Sequence, residues 1–263
     1  MINEFLNAFG KDGLYIMILR AMKKFGIHYE NTRIVKKIQI NKIGKSVFFR
    51  PFSSDVDVIC EFFLGRRGDL YQYDIDFVSI IMRPPRFILD GGSNIGLFSV
   101  YYDFKFNHPE KIVAIEPDKS NYSVLKKNIE SMTNVYAING GVWSNTCYLK
   151  THYSDMGKWG TTVSECEESE SEIMGYSISE IMRRFEIPFF DIVKLDIEGS
   201  EFFVFKDDSC KEWLKKTSVL IIETHDNKIK GCFDIVNERM KEMGYSCFAH
   251  GENLVFYKDE DPG

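Results

Sequence analysis

Five short apolar runs, "RFILD", "KIVAIE", "VYAIN", "FDIVKLD" and "SVLIIE", follow one another in the latter part of the chain, all but the last two separated by a helical pattern or an insertion. Short runs this apolar belong to strands buried on both faces, and strands alternating with helices assemble into a parallel sheet covered on either side. Helix ends are legible as well. One helix opens after "EPDK" and spans Ser120 to Ser131, and "KGCFDIVNERMKEMG" stops at Gly244, the residue type that ends helices. "YSCFAH" and "NLVFYK" around "GE" read as a hairpin that adds an antiparallel pair to the sheet. "SECEESESE" reads as a solvated loop interrupting the segment between the third and fourth strands.

The alternation begins at "MRPPRF", where Pro84 and Pro85 stop a preceding helix and free a strand to start at Arg86. The expected division is therefore residues 1–85, an α+β extension, and residues 86–263, the sheet-forming unit. In the extension, Glu4 to Phe25 has helical spacing interrupted at Gly10 and Gly13. "RIVKKIQI" and "KSVFFRP" flank "NKIG" as a hairpin, and "DVDVICEFFLG" and "LYQYDIDFVSIIM" suggest two short helices.

"LDGGSNIGLFS" places an acid and three glycines where the first strand turns into a helix, a place where the backbone bends tightly and a ligand can approach without Cβ in the way. Glu116 follows Gly96 by twenty residues and ends the second strand, where an acid receives ribose hydroxyls. A nucleoside cofactor is implied. The loop is not GxGxxG and begins with Asp90; a carboxylate there would repel a pyrophosphate but suits a sulfonium and an ammonium, which selects S-adenosylmethionine over a dinucleotide. A net charge of −6 argues against nucleic acid as a partner. Six scattered cysteines show no metal-binding spacing and read as buried reduced thiols. No apolar run approaches the roughly 20 residues needed to span a bilayer, which together with the absence of a signal-like N-terminus places the protein in the cytoplasm.

"FILDGGSNIGLFSVYY", "VAIEPDKSNYSVLKKNI", "INGGVWSN", "DIVKLDIEGSE" and "VLIIETHD" together resemble the FkbM-type S-adenosylmethionine-dependent methyltransferases, over roughly Arg86 to Lys258. The resemblance implies a class I methyltransferase fold, Rossmann-like, with a mostly parallel seven-stranded sheet, and O-methylation of a sugar or glycan hydroxyl in a capsule, lipopolysaccharide or glycosylated natural product. Carried across by position, Asp90, Gly91, Gly92, Ser93, Asn94 and Gly96 surround the methionine portion of the cofactor. Glu116 holds the ribose, Pro117 beside it belongs to the cofactor site, and Asp118 or the "INGGV" loop, especially Gly141 and Val142, borders the adenine. The adjacent Gly91 and Gly92 depart from the commoner valine-glycine pair.

In-line methyl transfer to a hydroxyl needs alignment and a place for the proton. "KLDIEGSE" ends the fourth strand, and strand alternation sends Lys194 and Asp196 to one face with Glu198 at the turn. Asp196 is the first candidate for the reaction centre; its structural alternative is a cap on the helix starting near Gly199. Glu198 and Glu201 could do the same work or orient Asp196. His225, after the fifth strand, is a natural proton acceptor at neutral pH. Asp196, Glu223 and His225 could instead hold a divalent metal, although no metal motif supports it.

Weaker signals lie elsewhere. The N-terminal helix could rest on the inner face of a membrane, pack on the core, or join a homo-oligomer. Arg66 and Arg67 could receive an anionic acceptor, and Trp159 in "DMGKWGTT" could stack on a sugar or close a lid. The rival readings are a non-catalytic adenosyl-cofactor-binding partner and an N-methyltransferase. Against the second, the (D/N)PP(Y/F) element of base-amino methylation is absent after the fourth strand.

Overall fold

The structure is a computed structural model that describes residues 2–24, 34–64, 75–154 and 157–258. Helices α1 (Ile2–Phe9) and α2 (Gly13–Lys24) are joined by a 3-10 turn at Gly10–Asp12, where Gly10 has a φ of 55°. The expected hairpin is present, with β1 (Lys36–Ile40) and β2 (Lys45–Phe49) paired antiparallel from Lys36–Phe49 to Ile40–Lys45. Helices α3 (Asp55–Leu64) and α4 (Phe77–Ile81) follow, the latter capped by Asp76, whose carboxylate accepts from the Ser79 amide at 3.2 Å.

The chain then alternates as the sequence led us to expect: β3 (Phe87–Gly91), α5 (Leu97–Lys105), β4 (Lys111–Glu116), α6 (Lys119–Ile129) and β5 (Val135–Val142). An insertion follows, formed by β6 (Cys147–Ser154), β7 (Gly157–Glu165) and β8 (Ile173–Tyr176). The chain closes with α7 (Ile178–Arg184), β9 (Phe190–Leu195), α8 (Glu201–Lys206), α9 (Cys210–Leu214), β10 (Thr217–Ile222), α10 (Cys232–Glu242), β11 (Ser246–His250) and β12 (Asn253–Tyr257).

Among the described residues one large sheet runs β11-β12-β10-β9-β3-β4-β5-β8-β6-β7. Seven of these strands, from β11 to β5, form the expected sheet: five parallel strands and the C-terminal antiparallel pair. The other three extend it beyond β5, with β8 parallel to β5 and β6 antiparallel to both β8 and β7. The acidic stretch is the solvated loop the sequence led us to expect, and it connects two of these strands. Ser164 and Glu165 end β7, Glu168–Glu170 is a single 3-10 turn, and β8 begins at Ile173. The residues between, 166–172, lie outside the strands and are mostly exposed.

Alternate residues of the central strands feed two cores. Ile88, Ile112, Ala114, Ile192, Val219 and Ile221 meet a layer that includes α5 and α6, and the same apolar cluster continues into Phe5, Phe9, Ile16, Val47, Phe49, Ile59 and Phe63 of residues 1–85. On the other face, Leu89, Val113, Ile115, Val193, Leu195 and Leu220 pack against α7 to α10. The hairpin is also held by polar contacts. Asn128 of α6 accepts from the Phe48 amide at 2.5 Å and donates to the carbonyls of Phe48 (3.1 Å) and Ile95 (2.7 Å). Helices α1 and α2 thus pack on the core through Phe5, Phe9, Ile16 and Leu19, while Ile2, Leu6, Leu14 and Ile18 face outward.

The strand order reverses between β3 and β9. In a parallel sheet, that reversal opens a crevice outside the carboxyl ends of the strands, where neighbouring connections leave toward opposite faces.

Candidate active site

The glycine turn is shaped by contact with β9. Gly92 has a φ of 75°, and a Cβ there would lie 1.8 Å from the Asp196 carbonyl oxygen, so only glycine lets the two strand ends meet. The Gly92 and Ser93 amides donate to the Ile115 carbonyl at 3.0 and 2.9 Å, and Ser93 Oγ donates to the Asp90 carbonyl at 2.6 Å. Asn94 takes a left-handed φ of 52°, and its buried Oδ1 has no hydrogen-bond partner.

The Asn94 amide donates to Glu116 Oε2 at 2.8 Å. Glu116, 4% exposed, also accepts at Oε1 from the Asp118 amide (3.0 Å) and from Asn121 Nδ2 (3.2 Å). Burial pushes its carboxyl up to about 7, against the pull of these donors toward the charged form.

Gly92, Ser93, Asn94, Glu116, Pro117, Gly141, Val142, Lys194, Asp196, Glu198, Glu223 and His225 line one cleft of about 370 Å³. Four residues expected at the cofactor do not line it. Asp90 is fully buried behind the turn, accepts from Ser99 Oγ at 2.8 Å and stands 3.6 Å from Lys194 Nζ. Among the carboxylates that line the cleft instead are Glu116, Asp196, Glu198 and Glu223. Gly91 is covered by Leu195 and Val142, and Gly96 by Leu125. Asp118 caps α6 through the Ser120 (2.9 Å) and Asn121 (2.7 Å) amides, so its carboxylate is committed to the helix.

Lys194, the penultimate residue of β9, is 4% exposed. Its Nζ donates to the Gly92 carbonyl at 2.7 Å and lies 3.6 Å from Asp196 Oδ2. Burial acts to lower its pKa, but Asp196, Asp90, Glu116 and Glu223 outweigh burial and hold it up, so the amine stays charged. Asp196 does not cap the next helix: α8 starts at Glu201 with no side-chain cap, and the Asp196 carboxylate stands 3.7 Å from His225 Nε2. The turn is closed by Glu201, which is fully buried and accepts from the Ile197 (2.8 Å) and Gly199 (2.7 Å) amides. In that turn Glu198 has a φ of 58° and ion-pairs with Lys228.

Glu201 also receives His225 Nδ1 at 3.1 Å, which turns Nε2 toward Asp196, Glu198 (3.6 Å) and Glu223 (3.8 Å). Burial acts to lower the His225 pKa; the Glu201 hydrogen bond and the charges of Glu201, Asp196 and Glu198 carry it up to about 9, so at neutral pH the ring is a cation. Burial and then Asp196 push Glu223 up to about 7. Ligand atoms of Asp196, Glu198 and His225 lie within 4.8 Å of one another, a spacing that could close on a divalent cation; Glu223 stands beside this set.

Residues 1–85 also reach the cleft, through side chains that the sequence reading did not single out: Val58, Glu61 and Phe62 of α3 form one wall. Thr161 and Val163 of β7 form another. The only signal for α3 was its helical spacing, which says nothing of what it packs against. Arg66 and Arg67 lie outside the described residues. Trp159 stands in β7 rather than in a loop, and its side chain lies outside what is described. Among the described residues no helix is long and apolar enough to cross a membrane. All six cysteines are free; Cys60, Cys210 and Cys232 are buried, and Cys247 is exposed.

Comparison with known proteins places this arrangement among methyl-transfer proteins. The Methyltransferase FkbM domain model matches residues 90–247. Methyltransferase sdnD of Sordaria araneosa is 27% identical over 169 residues, 51% of this chain and 65% of that protein. Methyltransferase 1 of Beauveria bassiana is 25% identical over 239 residues, 81% of this chain and 90% of that protein. Among solved structures, Methyltransferase FkbM from Methylobacillus flagellatus KT aligns with a TM-score of 0.47 and 14% identity, covering 96% of this chain and 61% of that one. The chain thus spans somewhat less than two thirds of the length of the Sordaria protein and of the Methylobacillus chain.

Proposed function

This chain belongs to the FkbM methyltransferase family, and on that premise we propose that it is an S-adenosylmethionine-dependent O-methyltransferase acting on a hydroxyl of a sugar or glycan. The observation that carries the reading is one cleft with two chemically different ends: a buried carboxylate on a glycine turn, Glu116, and a charged cluster at the end of β9, Asp196 with His225. The residues present fit an adenosyl cofactor. Glu116 is an acceptor for paired hydroxyls, the unpartnered Asn94 Oδ1 is an acceptor still to be filled, and Gly141 and Val142 offer a surface without polar side chains.

S-adenosylmethionine, when bound, supplies a methyl group already activated on a sulfonium. What this chain must add is alignment and a proton acceptor. Glu116 binds the ribose and Pro117, Gly141 and Val142 border the adenine. Asp196 accepts the proton of the acceptor hydroxyl. Lys194 holds the β3 turn against β9 through the Gly92 carbonyl and, with the His225 cation, fixes the Asp196 carboxylate between two positive charges. Glu201 keeps the His225 ring in that orientation. Val58, Glu61 and Phe62 form the acceptor-facing wall, an apolar surface with one carboxylate suited to the ring face and hydroxyls of a sugar.

The test has two arms. S-adenosylhomocysteine should raise the melting temperature and NAD should not, since only a ligand of the folded state stabilises it; the reverse would remove the cofactor reading. A labelled methyl donor with a panel of nucleotide sugars and glycans should yield an alkali-stable methyl ether. Turnover that survives EDTA supports Asp196 as the base, whereas loss restored by Mg²⁺ would assign Asp196, Glu198 and His225 to a cation.

A further inference from the structure

Arg50 lies just past β2, far along the chain from the glycine turn, and is 1% exposed. Its guanidinium forks onto Asp55, the first residue of α3, with Nε 2.9 Å from Oδ2 and Nη2 2.6 Å from Oδ1. The remaining donors point into α6: Nη1 meets Ser120 Oγ at 2.7 Å and Nη2 meets Asn121 Oδ1 at 2.6 Å. Asn121 Nδ2 then donates to Glu116 Oε1 at 3.2 Å. An amide side chain has one accepting and one donating end. With a guanidinium on one side and a carboxylate on the other, only one orientation of Asn121 avoids setting donor against donor and acceptor against acceptor.

We propose that Arg50 is a positioning residue for the cofactor. By fixing the Asn121 amide it holds a donor on Glu116. By fixing Asp55 it also sets the start of α3, whose Val58, Glu61 and Phe62 wall the same cleft. Residues 1–85 therefore govern cofactor affinity as well as the acceptor wall. This rests on the reading of Glu116 as the ribose acid, and the experiment separates the two.

S-adenosylhomocysteine is titrated calorimetrically into the full chain, the Arg50→Lys and Glu116→Gln variants, and the double variant, with a thermal melt of each. Arg50→Lys keeps a charge for Asp55 and lacks the planar fork that also reaches α6. Affinity should fall about tenfold in Arg50→Lys but less than about twofold when Glu116 is already Gln, the non-additivity of residues acting through one network. Equal losses in both backgrounds, or none in either, would make Arg50 a purely structural residue and overturn the proposal. Unchanged affinity in Glu116→Gln alone would overturn the ribose reading first and the proposal with it. Should Arg50→Lys not fold, Asn121→Asp carries the test, because it keeps the acceptor for Arg50 and deletes the donor to Glu116. A lower affinity at a near-unchanged melting temperature supports the relay, and an unchanged affinity refutes it.

Discussion

Glu116 is a carboxyl that the empty fold keeps only partly ionised at neutral pH, because burial raises it to about 7 despite three donors. The raised value costs the ligand-free protein stability progressively as pH climbs from the ordinary carboxyl range to about 7, since the folded state then holds a proton the unfolded state has released. Ribose hydroxyls donate to the charged form, so binding should pull the proton off. Titration of S-adenosylhomocysteine at about pH 6 in two buffers of different ionisation heat should reveal proton release, vanishing near pH 8. In Glu116→Gln that release should be absent at both pH values. Asp196→Asn is the complementary experiment: cofactor affinity stays, and methyl transfer falls about 100- to 10,000-fold, the usual cost of removing a general base. Near-normal turnover in Asp196→Asn would move the proton acceptor to the neighbouring carboxylate Glu223.

Among the elements, the connection from β9 to α8 has Glu198 and Gly199 both at positive φ, and one buried carboxylate, Glu201, satisfies two amides and an imidazole. Charge-assisted hydrogen bonds of this kind contribute about 1.5 to 3 kcal/mol each. Glu201→Ala should therefore lower the melting temperature by roughly 6 to 12 °C, taking a net loss of about 3 kcal/mol in a chain of this size. A melt within about two degrees of the wild type would show that the turn is held by packing alone.

Elements with strong local signals are legible in the sequence: β3, β4, β9 and β10 as short, largely apolar runs, α6 and α10 through their end signals. The insertion was not, because β6 and β7 carry Thr, Ser, His and Glu on an exposed face, and a strand paired only at its edges leaves a weak period in the chain. Among site residues, Glu116 and Asp196 stand where strand ends put them. Asp118 and Asp90 were misplaced toward the cleft because sequence spacing locates a residue on a turn without saying which way its carboxylate points. The α3 wall and the Arg50 relay depend on contacts between residues 70 or so positions apart, which no local pattern encodes.

At the scale of the whole molecule, Pro84 and Pro85 mark a change of pattern but not a gap in the core. The cluster that holds Val100, Tyr102, Ile112 and Leu125 holds Phe9, Phe49, Ile59 and Phe63 as well. Residues 86–263 alone would present that apolar layer to water, and large contiguous apolar patches are rare on soluble surfaces. Expressed separately, they should aggregate, or remain compact while binding an apolar dye; a monodisperse, cooperatively melting fragment would show that the extension is a true separate domain.

That shared core has a bearing on how acceptor preference can diverge between such chains. If residues 1–85 help choose the acceptor, exchanging them between relatives resembles replacing half of a zipper: the incoming Phe9, Phe49 and Phe63 must mesh with Tyr101, Tyr102 and Leu125 of the recipient before any new wall of the cleft can form. Recombination at Pro84 and Pro85 would then cut through this shared core. New specificity should accumulate more readily by single changes at the cleft-lining Val58 and Glu61 of α3 than by inheriting the extension whole.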